Sequence, residues 1–203
     1  MDFVQLVIEW IIVFGINIIP AFAPPTWVVL AYFYIAHPQN LLLLILIGVT
    51  ASTTGRYVLA ISSRKVFTKF ASEEKKEEME LIRNKLRKGT VKKFLFSMLF
   101  SLGPFPSNSL FIAVGTTRIR ITEILAGFFV GRTISYLFLV FTSEKIYTSL
   151  EAAITGSASI GTLIIEIIGV IALLAFFLFD WKKLLLKDEL SKKPKRRFEY
   201  APK

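Results

Sequence analysis

Two arginines stand inside apolar sequence, and no other residues in this chain are better placed to do chemistry. Arg56 follows Gly55 in the apolar run 41–63, and Arg132 follows Gly131 in the run 121–141. A guanidinium in hydrocarbon costs about 2.5–3.5 kcal/mol on insertion scales, so it demands a partner or a wet cavity. Glu9 and Glu166, in the first and last apolar runs, are candidate ion partners, and either could instead carry a proton. The alternative is a binding site: two guanidinium forks matched to a phosphate or carboxylate group. Ser107 and Asn108 belong with that alternative, because a half-helix starting near residue 108 would aim backbone N–H groups at an anion. Other chemistries fall away on composition. The chain has no Cys and a single histidine, His37, which excludes disulfides, cysteine metal centres and multi-histidine metal sites. It offers no Ser/His pair and no closely spaced carboxylates within apolar sequence, so no enzyme, cofactor or metal is expected.

The medium that must hold these arginines is a bilayer. The chain of 203 residues is 54% hydrophobic with 19 Phe, its mean hydropathy is +0.59, and several apolar runs approach the length of a membrane span. The fold class expected is an all-α polytopic membrane protein, with one membrane domain over residues 1–181 and a basic tail over 182–203. The net charge of +10 is concentrated: 20 of the 25 Lys and Arg lie in 64–93 and 181–203, and none in residues 1–55. Basic blocks beside apolar runs mark the cytoplasmic face. That clustering accounts for the basic character without nucleic acid. Ala21-Phe22-Ala23 has the look of a signal-cleavage site, but no Lys or Arg precedes it and Pro24 follows, so cleavage is not expected.

Two apolar stretches are broken by proline. Residues 3–19 run apolar until Pro20, and residues 26–36 resume after Pro24 and Pro25. Residues 94–115 are interrupted by Gly103-Pro104-Phe105-Pro106. Proline removes a donor and clashes with the preceding turn, so neither stretch continues as one helix. In a bilayer such backbone survives only where protein buries it or it lines a cavity. Each stretch is therefore expected to be a re-entrant hairpin, with tips at Pro24 and Pro25 and at Pro104 and Pro106. After each comes a spanning helix, 41–63 and 121–141. Between the halves lies a charged connector, 64–93, expected as a cytoplasmic helix with an apolar side on the lipid surface or as a solvated linker. A polar loop is expected over 142–160, and a last spanning helix over 161–181.

Placing 1–40 outside and the connector and tail inside leaves only Arg56, Arg132 and Lys145 of the 25 cations off the inner face. The hairpins then open to opposite faces, so 3–63 and 94–143 form an inverted pair, the arrangement in which broken helices meet near the midplane of a transporter. Gly48, Ser52 and Arg56 share one helical face, as do Gly127, Gly131 and Ser135. Together with Gly55 these small residues would let neighbouring helices approach closely.

At these residues the chain resembles the DedA family, also described as the SNARE-associated or VTT-domain superfamily. The resemblance covers about residues 15–143. It rests on the proline-rich first break, Gly48 with Gly55-Arg56-Tyr57, the GPFPSN break at 103–108 and GFFVGR over the second Gly-Arg pair. It implies two opposed re-entrant loops, lipid scrambling or flipping (polyprenyl-phosphate carriers included) and proton-dependent transport. Arg56 and Arg132 match the family's Gly-Arg positions, and the four prolines match its hairpin tips. Family members often carry a carboxylate at the first tip, where this chain has Ala23-Pro24-Pro25-Thr26. That departure bears on proton coupling more than on lipid handling.

The function expected is movement of a lipid or lipid-phosphate headgroup between leaflets of the cell membrane. A proton-coupled small-solute or ion transporter and a non-transporting membrane scaffold are the alternatives. The partners expected are membrane lipids, with anionic headgroups drawn to the connector and tail. A homo-oligomer is left open.

Overall fold

The structure, a computed structural model, describes residues 3–20, 23–37, 39–66, 82, 86, 89–103, 107–116, 120–155 and 160–179. Among these the chain is all-helical: α1 (Phe3–Ile18), α2 (Thr26–Ala36), α3 (Leu41–Val66), α4 (Thr90–Leu102), α5 (Asn108–Gly115), α6 (Thr122–Ile154) and α7 (Ile160–Leu178). Proline sets most of the boundaries. α1 stops two residues before Pro20, and α2 starts with Pro25 at its cap position and ends ahead of Pro38. Asn40 caps α3, its Oδ1 accepting from the Leu43 N–H at 3.2 Å. α4 ends at Gly103, next to Pro104. Pro104 and Pro106 themselves lie outside the described residues.

Residues 41–63 and 122–152 are long and apolar enough to cross a membrane. The side chains are distributed to match. Exposed positions are apolar along several helices: Ile8, Ile11 and Ile12 on α1, Leu42 and Leu46 on α3, Ile134 and Phe138 on α6, Ile167 and Ile171 on α7. The interior holds Glu9, Asn17, Arg56, Ser97, Ser101, Ser107, Arg132 and Ser135. Apolar outside and polar inside is the arrangement that lipid stabilises and water does not.

α1 lies along α3, and α4 along α6. Each short helix crosses to the other half: α2 packs on α6, with a smaller contact to α3, and α5 packs on α3. The two long helices also touch each other, and α7 packs on α6. Glycine makes the first two contacts close. A Cβ on Gly55 would meet Asn17 Cβ at 2.8 Å and the Phe14 carbonyl at 2.9 Å. On Gly131 it would collide with Ser101 Oγ and the Met98 carbonyl, and on Gly127 with Ser97 Oγ and the Phe94 carbonyl. Gly48 instead faces Leu30 of α2. Gly55 is thus the counterpart of Gly131, and the face carrying Gly48 serves a different neighbour. Serine hydroxyls reinforce the α4–α6 contact: Ser101 Oγ donates to the Phe128 carbonyl and Ser135 Oγ to the Ser101 carbonyl, both at 3.4 Å. Ser52 is buried and donates within its own helix to the Val49 carbonyl at 3.1 Å.

Two apolar clusters result. One joins Leu59, Phe96, Phe100, Leu110, Phe111 and Phe128; the other joins Val13, Leu30, Phe33, Leu44, Val49 and Tyr136. Along α3, Arg56 falls between Ala51 of the second cluster and Leu59 of the first; along α6, Arg132 falls between Phe128 and Tyr136. Both arginines therefore occupy a polar waist between two greasy ends.

Two sequence expectations need correcting. The polar stretch after residue 141 is not a loop: α6 continues to Ile154. Its hydroxyls do not compete for loop geometry. Thr142 and Ser143 each return a 2.7 Å bond to the carbonyl four residues back, and Thr148 does so at 3.0 Å. No Gly or Pro occurs between residue 141 and Gly156. At about 1.5 Å per residue such a helix outruns a hydrocarbon core of about 30 Å. The second correction concerns the connector. Most of it lies outside the described residues, but Ile82 and Leu86 are fully buried in the first cluster beside Leu59 and Phe111. That part of its apolar side faces protein, not the lipid surface. The tail 182–203 also lies outside the described residues.

Candidate functional site

The waist holds a cavity of about 210 Å³ lined by Ala23, Pro24, Pro25, Thr26, Trp27, Arg56, Ser107, Asn108, Arg132, Leu139 and Phe177. Widely separated parts of the chain build it. The first break brings Pro24 and Pro25, α2 brings its N-terminal Thr26 and Trp27, and α5 brings its first residues after the second break. The long helices bring one arginine each. All four residues expected to bind a ligand and the two prolines expected at the first tip share this cavity, although they span 109 positions of sequence from Pro24 to Arg132.

Arg56 is 6% exposed and Arg132 8%. Arg56 Nη1 donates to the Asn17 carbonyl at 3.1 Å. Asn17 sits in the last turn of α1, where carbonyls lack helical partners, so the guanidinium supplies a C-terminal cap. Asn17 is also tied across the break, Nδ2 donating to Thr26 Oγ1 at 3.0 Å and to the Val13 carbonyl at 2.8 Å. Arg132 lies between aromatic neighbours one turn away on either side, with Cζ 5.5 Å from the Phe128 ring centroid and 5.6 Å from that of Tyr136. The two breaks touch: Asn108 Nδ2 donates to the Pro20 carbonyl at 2.8 Å.

Three buried polar atoms on the cavity's residues, Arg56 Nε, Ser107 Oγ and Asn108 Oδ1, have no hydrogen-bond partner among the described residues. Ser107, at the cap position of α5, makes no capping bond with its side chain. Among the described residues the lining carries two guanidinium groups that repel each other and no carboxylate. The positive ends of α2 and α5 add to the same sign. An anion would accept from Arg56 Nε and Ser107 Oγ and offset the positive charge, whereas Asn108 Oδ1 is an acceptor and calls for a donor on the same ligand. The volume far exceeds the ~10–15 Å³ needed for one water.

Leu139, Trp27 and Phe177 make the remaining wall apolar. Trp27 and Phe177 hold their rings 5.8 Å apart across α2 and α7, and Phe177 is exposed on its other side. The lining thus combines two cationic side chains with an apolar wall that includes a residue of the exposed apolar surface, Phe177.

Glu9 is elsewhere. It lines a separate depression with Val4, Gln5, Ile8, Phe33 and His37, and the two cavities share no residue. Its carboxylate accepts from Gln5 and Gln39. The idea of Glu9 as counter-ion to the arginines does not survive that placement, because Glu9 stands two helical turns along α1 from Asn17. The side chain of Glu166 lies outside the described residues. No group of His, Cys, Asp and Glu suited to a metal ion occurs among the described residues.

Sequence reasoning missed Asn17, Trp27 and Phe177. A lone amide one turn before a proline break was a visible signal for Asn17, since the break leaves polar ends that need partners. Nothing in the sequence distinguishes Phe177 from its neighbours, because its role depends on where α7 docks. Compared with known proteins, the chain matches no protein-family model, no curated protein and no solved structure.

Proposed function

We propose that this chain is a DedA-like integral membrane protein that binds a phosphate-bearing lipid headgroup in the waist cavity and moves it between leaflets. The observation that carries the proposal is the cavity itself: two buried guanidinium groups and two helix N-termini line it. A phosphate is the anion best matched to paired guanidinium forks and N–H groups. The apolar wall of Leu139, Trp27 and Phe177 suits a ligand whose tail stays in lipid. α1–α3 and α4–α6 act as inverted repeats with re-entrant breaks. Support comes from the packing, which is preserved when the triplets are exchanged: first helix on own third helix, short helix on the other triplet's third helix. On this topology the connector and C-terminus are cytoplasmic.

The test is lipid movement in proteoliposomes. Arg132→Ala, reconstituted and shown to be folded, brings movement of a labelled anionic phospholipid down to the protein-free background. Arg132→Lys recovers only part, because an ammonium cannot reproduce the planar fork. An Arg132→Ala protein that moves lipid at the wild-type rate refutes the proposal. One observation favours a structural role for Arg56 instead, its cap on α1. Under that reading Arg56→Ala lowers stability and Arg132→Ala leaves any lipid movement intact.

A further inference from the structure

Glu9 is the one carboxylate buried among the described residues, and the arginine cavity does not use it. It is 1% exposed, on the inner face of α1. Its Oε1 accepts two amide N–H groups, from Gln5 Nε2 at 2.9 Å and from Gln39 Nε2 at 3.1 Å. Its other oxygen, Oε2, is buried without a hydrogen-bond partner among the described residues, and so is Oε1 of the same Gln39. Two acceptors are thus left over on two side chains that one hydrogen bond already joins. A buried unpaired acceptor costs its full desolvation, about 1–3 kcal/mol and more for a charged group. A single proton on Glu9 satisfies both, since a protonated carboxyl is a donor as well as an acceptor. The amide N–H then faces the acid carbonyl, the acid O–H faces the amide carbonyl, and the two groups close a ring.

We propose that Glu9 Oε2 is a proton-binding site, that its O–H donates to Gln39 Oε1, and that the resulting acid–amide ring is a proton-operated latch on α2. Gln39 Nε2 also donates to the Phe33 carbonyl in the last turn of α2, at 3.3 Å. The ring therefore ties α1 to the far end of the helix whose near end, at Thr26, forms the arginine cavity. α2 is 11 residues long and stiff over about 16 Å. Loss of the proton sets a carboxylate oxygen against a carbonyl oxygen, opens the ring and frees that end of α2. The proton comes from and returns to water, and no other group changes. A depression of about 320 Å³ reaches Glu9. Among the described residues its other titratable side chain is His37, which is exposed, and its remaining walls are Val4, Gln5, Ile8 and Phe33. The proton site stands apart from the lipid proposal. Only its leverage on the cavity rests on that reading.

Infrared difference spectroscopy of the full chain in lipid nanodiscs, stepped across about pH 4 to 9, tests it. The wild type shows a protonated-carboxyl C=O band that Glu9→Gln lacks. Gln39→Met, which keeps the side-chain length but offers no carbonyl, leaves the band present and moves its frequency. Glu9→Gln can still pair with Gln39 through its own amide, and a thermal melt checks that it folds. The Gln39→Met spectrum gives an answer with Glu9 intact even if it does not. Identical spectra for wild type and Glu9→Gln overturn the proton site, and a band unmoved by Gln39→Met overturns the ring. Neither outcome depends on whether the protein moves lipid.

Discussion

Gly55→Ala and Gly15→Ala make the same chemical change at two glycines of the α1–α3 pair, and the structure assigns them opposite signs. Around Gly15, on the exposed side of α1, nothing lies within 4 Å of where a Cβ would stand. At Gly55 the new methyl meets Asn17 Cβ at 2.8 Å and the Phe14 carbonyl at 2.9 Å. Carbon atoms pack at about 3.5 Å or more, so α1 and α3 must separate by about 0.7 Å there. Inserting a methyl into a tight contact costs about 1–3 kcal/mol. Gly15→Ala avoids that cost and gains helix propensity, up to about 1 kcal/mol. The separation at Gly55 falls on Asn17, which holds Arg56 through its carbonyl and Thr26 through its amide. Gly55→Ala should therefore disturb the cavity as well as stability. Unfolding midpoints in detergent, followed by Trp10 and Trp27 fluorescence, should fall for Gly55→Ala and hold or rise for Gly15→Ala. Lipid movement should drop in the first variant only. Equal midpoints for the two variants would refute the close approach of α1 to α3 and, with it, the account of how Arg56 is held.

Leu86→Ala should destabilise by about 2–5 kcal/mol, although its neighbours in sequence are charged, because Leu86 is fully buried beside Leu59, Phe96 and Phe111; a melting midpoint within error of wild type would contradict that burial. Backbone amides over residues 146–153 should exchange slowly with deuterium in nanodiscs, as continuous helix does, whereas loop-like exchange there would contradict the extension of α6 to Ile154.

Helix positions were legible because proline and apolar run length fix them locally. Residues 26–36 and 41–63 were expected from breaks at Pro25, Pro38 and the charges after Ser63, and helices cover the same ground. The reading failed where composition stood in for geometry. Thr142, Ser143 and Thr148 look like loop residues, yet each hydroxyl finds a carbonyl in its own helix and so costs the helix little. Ile82 and Leu86 are one turn apart, a spacing equally suited to lipid or to protein, and only the docking of α3, α4 and α5 decides between them. The same asymmetry runs through the candidate site. That Arg56 and Arg132 needed company followed from the cost of charge in hydrocarbon, whereas who keeps that company did not. Glu9 was a candidate because opposite charge is the cheapest answer on paper. In three dimensions a helix end cut short by proline leaves carbonyls that also need donors, and the Asn17 carbonyl accepts from Arg56. A chain that breaks its helices with proline therefore creates polar ends as well as gaps. Arg56, near one of those ends, serves the backbone through Nη1 and still lines the cavity, which is why one residue can hold the fold and face a ligand together.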